Sequence, residues 1–528
     1  MVGGGIRRQA DSSEPGAEPH VDDARESSHD VVVIGGGIGG LTAGALLARA
    51  GKKVLVVEAE AQPGGFARAI RRGAYTFDRA DHLTWGCEET TPFGPGLIDA
   101  VLRHLRVRDR CEFIRMDDPI YETRLPDLTL AVPHGREAFL EAHLRHFPGE
   151  ADGLRHLVEL SAKIFQEVTD LPVKPNLRDL ALMPRRFPTL FRYRNATMND
   201  VVDRELTDHR LKAVYSALWS WIGPPPRHAS FILWATMMAG YVEDGACYPR
   251  GGFQQLADAL AAGLVGAGGE LLLGTRAGRI LAKGRRVQGV ELEDGHRIET
   301  PAVISNIDAR DTFEKLLGGD EVPSRYRRRL RGMELSDRVF TLNAATDLDV
   351  RAAGAQHDTV LSTDWDHDRV HAMALAGEVP GLLILIPTLK DTSLAPPGEH
   401  LVILQAFAPA EAHGTPRRDE QLADRLLQLA ERVLPGLRQH LTFMEEIPSA
   451  TGSGPLLRTL GPIYGWAASP DQVGVRRLPQ ETPVEGLVLA GHWTQPGHGI
   501  WTVVRSGIGA ARLVLGAPTS APAVPLRL

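Results

Sequence analysis

Apolar residues fall into short unbroken runs near the start of the chain, a dense aromatic stretch before its middle, and separate strand-like blocks beyond residue 330. Val31-Val32-Val33-Ile34 and Val54-Leu55-Val56-Val57 are continuous apolar runs, the pattern of strands covered on both faces. The stretch between them predicts a helix from about Gly39 to Ala50, so the segment reads as a βαβ unit. Residues 270–304 predict short strands with turns at Gly284 and Asp294-Gly295, a β-meander laid on that unit. From 311 to 454, strand-like runs at Val339 to Leu342, Leu382 to Ile386 and Leu401 to Phe407 accompany a helix at Asp419 to Val433, which predicts an antiparallel sheet capped by helices. Residues 1–29 are rich in Ser, Glu, Asp, Pro and Arg, lack the apolar centre of a signal peptide, and read as a disordered tail.

The loop between the first strand and the helix carries the chemistry. Gly35, Gly37 and Gly40 form a G-x-G-x-x-G pattern directly after the strand. Gly35 permits the tight turn, Gly37 lets the backbone approach a pyrophosphate, and Gly40 lets the helix pack closely on the sheet. Ile38 and Gly39 open the helix, whose free N–H groups and positive dipole end face the phosphates. The second strand ends at Glu58, an acceptor for ribose hydroxyls that disfavours a 2′-phosphate and therefore NADP at this site. Two further segments argue for FAD over NAD: Pro63-Gly64-Gly65, and a distant C-terminal run from Gly491 through His492 to Gly499 that opens a helix at Ile500. A helix N-terminus placed there would favour the negative charge of a reduced flavin ring.

With these motifs the chain resembles the phytoene desaturase, carotenoid isomerase and retinol saturase group of flavoproteins, which share the amine-oxidase-like FAD fold. The resemblance runs through Asp30 to Gly65 with Tyr75-Thr76-Phe77-Asp78, then Tyr248 to Phe253, Gly289-Val290 to Asn306, and Gly461 to Trp466 leading to the C-terminal glycine segment. It implies an α/β fold, with a Rossmann-like FAD-binding domain assembled from residues 30–85, 245–310 and 455–520. A helical substrate insertion at 86–244 and an α+β substrate domain at 311–454 would complete it. It further implies that Gly35, Gly37, Gly40 and Glu58 hold the ADP half of FAD and that Gly64 and Gly65 approach the pyrophosphate and flavin. Ala277, where relatives carry valine, would meet the adenine through its backbone, and Gly491 to Gly499 would follow the ribityl chain and ring. Three positions depart from the pattern: His492 stands where many members place an acid, Phe66 where some desaturases carry arginine, and Arg79-Ala80 where a residue and a glycine usually follow the Phe-Asp pair.

Tyr215, Leu218, Trp219, Trp221, Phe231, Trp234, Met237, Met238 and Tyr241 crowd the first insertion of a chain that is only 6% aromatic, as either a tunnel for a long apolar substrate or a plain helical core. Residues 184–194 mix arginines with aromatics, which suits peripheral contact with an anionic membrane or a solvated basic face. No segment is long and apolar enough to span a bilayer. The 528-residue chain is 43% hydrophobic, enough for two or three domains, and a net charge of −7 gives no reason to expect a nucleic-acid partner. Cys87, Cys111 and Cys247 form neither a metal pattern nor a disulfide framework, and no zinc-type set is seen, in keeping with a cytoplasmic protein peripheral at most to the membrane.

Flavin N5 exchanges hydride, so a proton must also leave or reach the neighbouring substrate carbon. His498 and Tyr464 are the candidate catalytic residues, with Asp81 and His82 as further possibilities. The leading reading is an FAD-dependent oxidoreductase acting on carbon–carbon bonds of a lipophilic polyene or isoprenoid-like substrate. The alternatives are an NAD(P)H-fed reductase, isomerase or reductive cyclase of a polyene intermediate, and a non-catalytic prenyl- or lipid-binding protein of the same fold.

Overall fold

The computed structural model describes residues 6–8, 27–80, 82–116, 119–172, 177–318, 321–408, 416–447, 462–517, 521–524 and 526. At its centre lies a parallel six-stranded sheet in the order Ile6–Arg8, Glu270–Leu273, Val54–Val57, Val31–Ile34, Val303–Ser305, Leu487–Leu489. The runs 31–34 and 54–57 are buried at every position, because helices cover one face and a smaller sheet the other. Helix Ile38–Arg49 packs between helices Ile500–Leu515 and Gln254–Gly266. Glycine makes these approaches possible: a Cβ on Gly40 would lie 2.2 Å from the Gly35 carbonyl, and one on Gly507 would lie 2.6 Å from the Gly39 carbonyl.

On the other face sits a four-stranded sheet of Ala277–Lys283, Arg286–Leu292, Arg297–Glu299 and Ser27–Ser28. Its first hairpin turns through Gly284 and Arg285, both left-handed, as a two-residue turn between twisted strands requires. Two sequence expectations are corrected here. Glu270–Leu273 is not part of the meander but a strand of the central sheet. The tail is not wholly without structure, since Ile6–Arg8 and Ser27–Ser28 supply edge strands; their polar composition hid them because an edge strand needs backbone pairing more than burial. Residues 1–5 and 9–26 lie outside the described residues.

The substrate side is a seven-stranded sheet, ordered Leu441–Ile447, Arg338–Thr346, His400–Ala408, Gly381–Leu385, Asp358–Ser362, Tyr121–Leu125, Leu128–Val132. All neighbours are antiparallel except Asp358–Ser362 with Tyr121–Leu125. The last two strands come from the insertion expected to be helical, so that the sheet joins both insertions into one wall. Helix Pro416–Ala430 covers one face of the sheet. The rest of the first insertion is mainly helical, with Ala151–Asp170 and Phe231–Ala239 packed on each other. In the basic segment, Phe187, Leu190 and Tyr193 are buried, whereas Arg185, Arg186, Arg192 and Arg194 are exposed with Pro184 and Pro188, and Phe191 is half-buried. Among the described residues no helix is long and apolar enough to cross a membrane, no group of His, Cys, Asp and Glu can hold a metal ion, and the three cysteines are free and buried.

The close approach at Gly40 yields a prediction. Gly40→Ala should cost about 1–3 kcal/mol in thermal unfolding and strip the flavin absorbance from the purified protein. Gly266→Ala, where an added Cβ meets nothing within 4 Å, should keep its flavin and unfold no earlier than the parent.

Candidate active site

One cavity of about 580 Å³ runs from the glycine loop into the space between the helical insertion and the seven-stranded sheet. Its nucleotide end is lined by Gly35, Gly37, Ile38, Gly39, Glu58, Gly64, Gly65 and Ala277. Gly40 does not line it and acts through packing alone. Gly64 donates its N–H to the Gly36 carbonyl at 2.8 Å and, with φ of +124°, turns the chain so that Gly65 faces Gly37. Two glycine backbones thus meet without side chains, leaving N–H groups open to an anion.

Glu58 is buried and receives the N–H groups of Gly36 at 2.6 Å and Glu60 at 2.9 Å. Burial pushes its carboxyl above the usual range, against the pull of those two N–H groups. Ala277 is beside it, because Thr275 donates its N–H to the Glu58 carbonyl.

The flavin-facing end, where the resemblance expects the flavin, is lined from segments 462–464 and 491–500. Gly491, His492, His498, Gly499, Ile500 and Tyr464 all line the cavity, and Gly499 precedes the first turn of helix Ile500–Leu515. The Tyr464 and His498 rings lie 4.5 Å apart, and the Tyr464 hydroxyl donates to the Ser220 carbonyl at 3.0 Å. Neither ring nitrogen of His498 has a hydrogen-bond partner among the described residues, and the same holds for Nε2 of His492. Burial and the Arg477 guanidinium push His498 well below the usual imidazole range and His492 down to about 3, so both are neutral near pH 7. Asp81 lies outside the described residues, whereas His82 lines the cavity beside Trp221.

Three residues that the motif reading passed over complete the site. Asn306 donates from Nδ2 to the Gly35 carbonyl at 3.3 Å, and its Oδ1 occupies the space a Cβ on Gly39 or Gly491 would need. Arg79 brings its guanidinium 6.0 Å from the Phe66 ring, supplying a cation where the loop itself has none. Arg477 is fully buried and bonds four carbonyls, those of Tyr464, Trp466, Gln472 and His492, tying both flavin-facing segments together from behind. Asn306, at the end of an expected strand, and Arg79, where the chain departs from the family pattern, carried a sequence signal; Arg477 carried none.

These residues fit FAD. The cradle has backbone where a Cβ would intrude, an acid at the strand end where a ribose would be held, and buried polar atoms on Asn306, His492 and His498 without partners among the described residues. Glu58→Ala should weaken FAD binding roughly 10- to 100-fold, as expected for loss of a charged acceptor, in a fluorescence titration of free FAD. The pH dependence has a definite sign. With its folded-state pKa raised, Glu58 stabilises the apo fold below the usual carboxylate value, and that contribution is lost as pH rises through the folded value. FAD requires the carboxylate, so affinity should fall on acidification earlier than for an ordinary glutamate, and Glu58→Gln should abolish that acid limb.

Comparison with known proteins agrees with this geometry. The profile of flavin containing amine oxidoreductases matches residues 38–515. A phytoene dehydrogenase of Streptomyces griseus is 31% identical over 533 residues, covering 93% of this chain and 97% of its own length. Prolycopene isomerase 1 of an Oncidium hybrid cultivar is 28% identical over 531 residues, covering 95% and 86%. An oxidoreductase of Methanosarcina mazei has the same fold, with a TM-score of 0.60 at 17% identity, over 90% of this chain and 98% of that one. The chain belongs to the flavin-containing amine oxidoreductase family, as an FAD-dependent oxidoreductase similar to phytoene dehydrogenases and prolycopene isomerases.

Proposed function

We propose that this enzyme acts on a carbon–carbon bond of a long lipophilic polyene or isoprenoid-like molecule, in the manner of a phytoene dehydrogenase. The observation that carries the reading is the continuity of the cavity. Beyond the flavin-facing segments its wall is mainly aromatic and branched apolar side chains, Trp219, Trp221, Tyr241, Val360, Leu382 and Phe407, with Thr341, Ser362 and Gln405 among them. Trp219 stacks on Phe407 with 5.1 Å between ring centroids, so the helical insertion and the sheet close the chamber together. A flexible hydrocarbon gains from such a wall by leaving water, at about 25 cal/mol per Å² of buried apolar surface.

Bound FAD would supply hydride uptake or delivery at N5. The chain's own residues hold it through the glycine cradle and Glu58, keep water from the reacting carbons with the apolar wall, and maintain neutral imidazoles at His492 and His498 beside the ring. The Arg477 guanidinium, held behind that segment, favours negative charge nearby and so favours a reduced ring. The intact cradle argues against a protein that only binds prenyl groups, which has no use for an open cofactor loop.

Anaerobic absorbance of the FAD-loaded protein tests the reading. Adding phytoene in detergent micelles should bleach the oxidised flavin bands, whereas bleaching by NADPH or NADH alone would favour the reductase, isomerase or cyclase reading. A colourless protein that takes up no FAD would overturn both. Ala374→Phe, on the chamber wall and away from the cradle, should raise KM for the polyene roughly tenfold or more with unchanged flavin content.

A further inference from the structure

On the substrate side of the cavity one imidazole is held by a buried carboxylate. His82 lines the chamber next to Leu83, Trp221 and Tyr241. Its Nδ1 lies 2.6 Å from Oδ2 of Asp358, a side chain with 0% of its surface exposed. A carboxylate only accepts, so Nδ1 carries the hydrogen and Nε2 keeps a lone pair. The Trp221 ring meets the imidazole edge-on at 4.4 Å and limits its rotation. The second oxygen of Asp358 is bonded by Nδ1 of His357, whose ring stands 5.6 Å from that of Tyr248. Tyr248 in turn donates its hydroxyl to Asp78 at 2.5 Å, so a row of buried titratable groups backs the His82 imidazole.

A carboxylate taken fully out of water costs several kcal/mol unless it is paired. Burial pushes the Asp358 carboxyl up, but the His357 and His82 imidazoles pull it down further, below the usual range. The carboxylate is thus held ionised between two imidazoles, and His82 is the one of the two that lines the cavity and can exchange a proton with a ligand there. It also faces the same chamber as the flavin-facing segment: Trp221 adjoins Ser220, which accepts from Tyr464, and Tyr464 lies against His498.

We propose that His82, oriented by Asp358, is the side chain that takes a proton from, or returns it to, the substrate carbon next to the one that exchanges hydride. The proposal rests on the functional reading above. In the oxidising direction one carbon gives up a hydride, with its two electrons, to oxidised FAD. The adjacent C–H bond breaks, its electron pair becomes the new π bond, and the proton joins the lone pair on Nε2. Imidazolium is left against the Asp358 carboxylate. In the reducing direction reduced FAD is the hydride source, and the imidazolium donates its proton to the adjacent carbon. His498 and Tyr464 are less suited, the first because it stays neutral among buried groups and the second because its hydroxyl is directed to Ser220.

The test uses FAD-loaded wild type, His82→Gln and Asp358→Asn. In ¹⁵N-histidine NMR, with the signal assigned by its loss in His82→Gln, wild-type His82 should be the single Nδ1–H tautomer, and Asp358→Asn should lose that preference. A wild-type Nε2–H tautomer would overturn the proposal. Flavin reduction by phytoene in micelles should slow about 10²- to 10⁴-fold in His82→Gln and measurably in Asp358→Asn, with FAD dissociation constants within twofold of wild type. An unchanged rate in His82→Gln overturns the role of His82 alone. A wild-type flavin that no polyene reduces overturns the functional reading, and the proton transfer with it.

Discussion

The structure depends on a convergence of backbones that tolerates almost no side chain. The glycine loop 35–40, Asn306 at the end of the fifth central strand and Gly491 at the end of the sixth meet at one point. Asn306 holds the Gly35 carbonyl, and a Cβ on Gly39 or Gly491 would come within 2.7 or 2.4 Å of its Oδ1. Strand order explains the meeting: Val303–Ser305 lies between Val31–Ile34 and Leu487–Leu489, so three distant segments leave the sheet side by side at their carboxyl ends. In open α/β sheets this edge is where ligands bind, and close backbone approach is what lets a dinucleotide reach several N–H groups together.

From that point the cavity changes character along its length. The nucleotide end is glycine backbone and the buried acid Glu58, with further charged side chains such as Arg276, Asp308 and Lys315 along its lining. The flavin-facing end is neutral imidazoles over a buried guanidinium whose hydrogen bonds go to carbonyls rather than to a carboxylate. The remainder is mainly apolar, with Thr341, Ser362, His367 and Gln405 among its lining and His82, backed by Asp358, set into it. Placing the cation behind the backbone keeps its field on the His492 and Tyr464 segments, while four carbonyls accept its hydrogen bonds where water cannot. Water exclusion makes each of these electrostatic contacts stronger than it would be at a surface.

The parts of the fold readable in the sequence are those whose signal is local. The βαβ unit appears as strand Val31–Ile34, helix Ile38–Arg49 and strand Val54–Val57, within a residue or so of the expected positions. Strands Arg338–Thr346 and His400–Ala408 contain the apolar runs that announced them, and Gly381–Leu385 covers all but the last residue, Ile386, of its run. Asp358–Ser362 and Tyr121–Leu125 escaped notice because they mix polar with apolar residues, and it is pairing within a joint sheet that makes them strands.

By itself the sequence determined that the chain binds a dinucleotide, where the two glycine turns lie, and that it has more apolar surface than one domain requires. Each of those properties is set by residue type over a short window: a missing Cβ, an unbroken apolar run, an acid at a strand end. Tertiary structure alone decided how the aromatic insertion divides: Trp219, Trp221 and Tyr241 line the cavity, while Tyr215, Leu218, Phe231, Trp234, Met237 and Met238 pack in the core behind it. It also decided that His82 meets Asp358 across 276 positions of sequence and that Arg477 reaches the back of the flavin-facing segment. Those pairings depend on the register and order of a sheet built from both insertions. Their energies come from burial and mutual orientation, which no single stretch of sequence specifies.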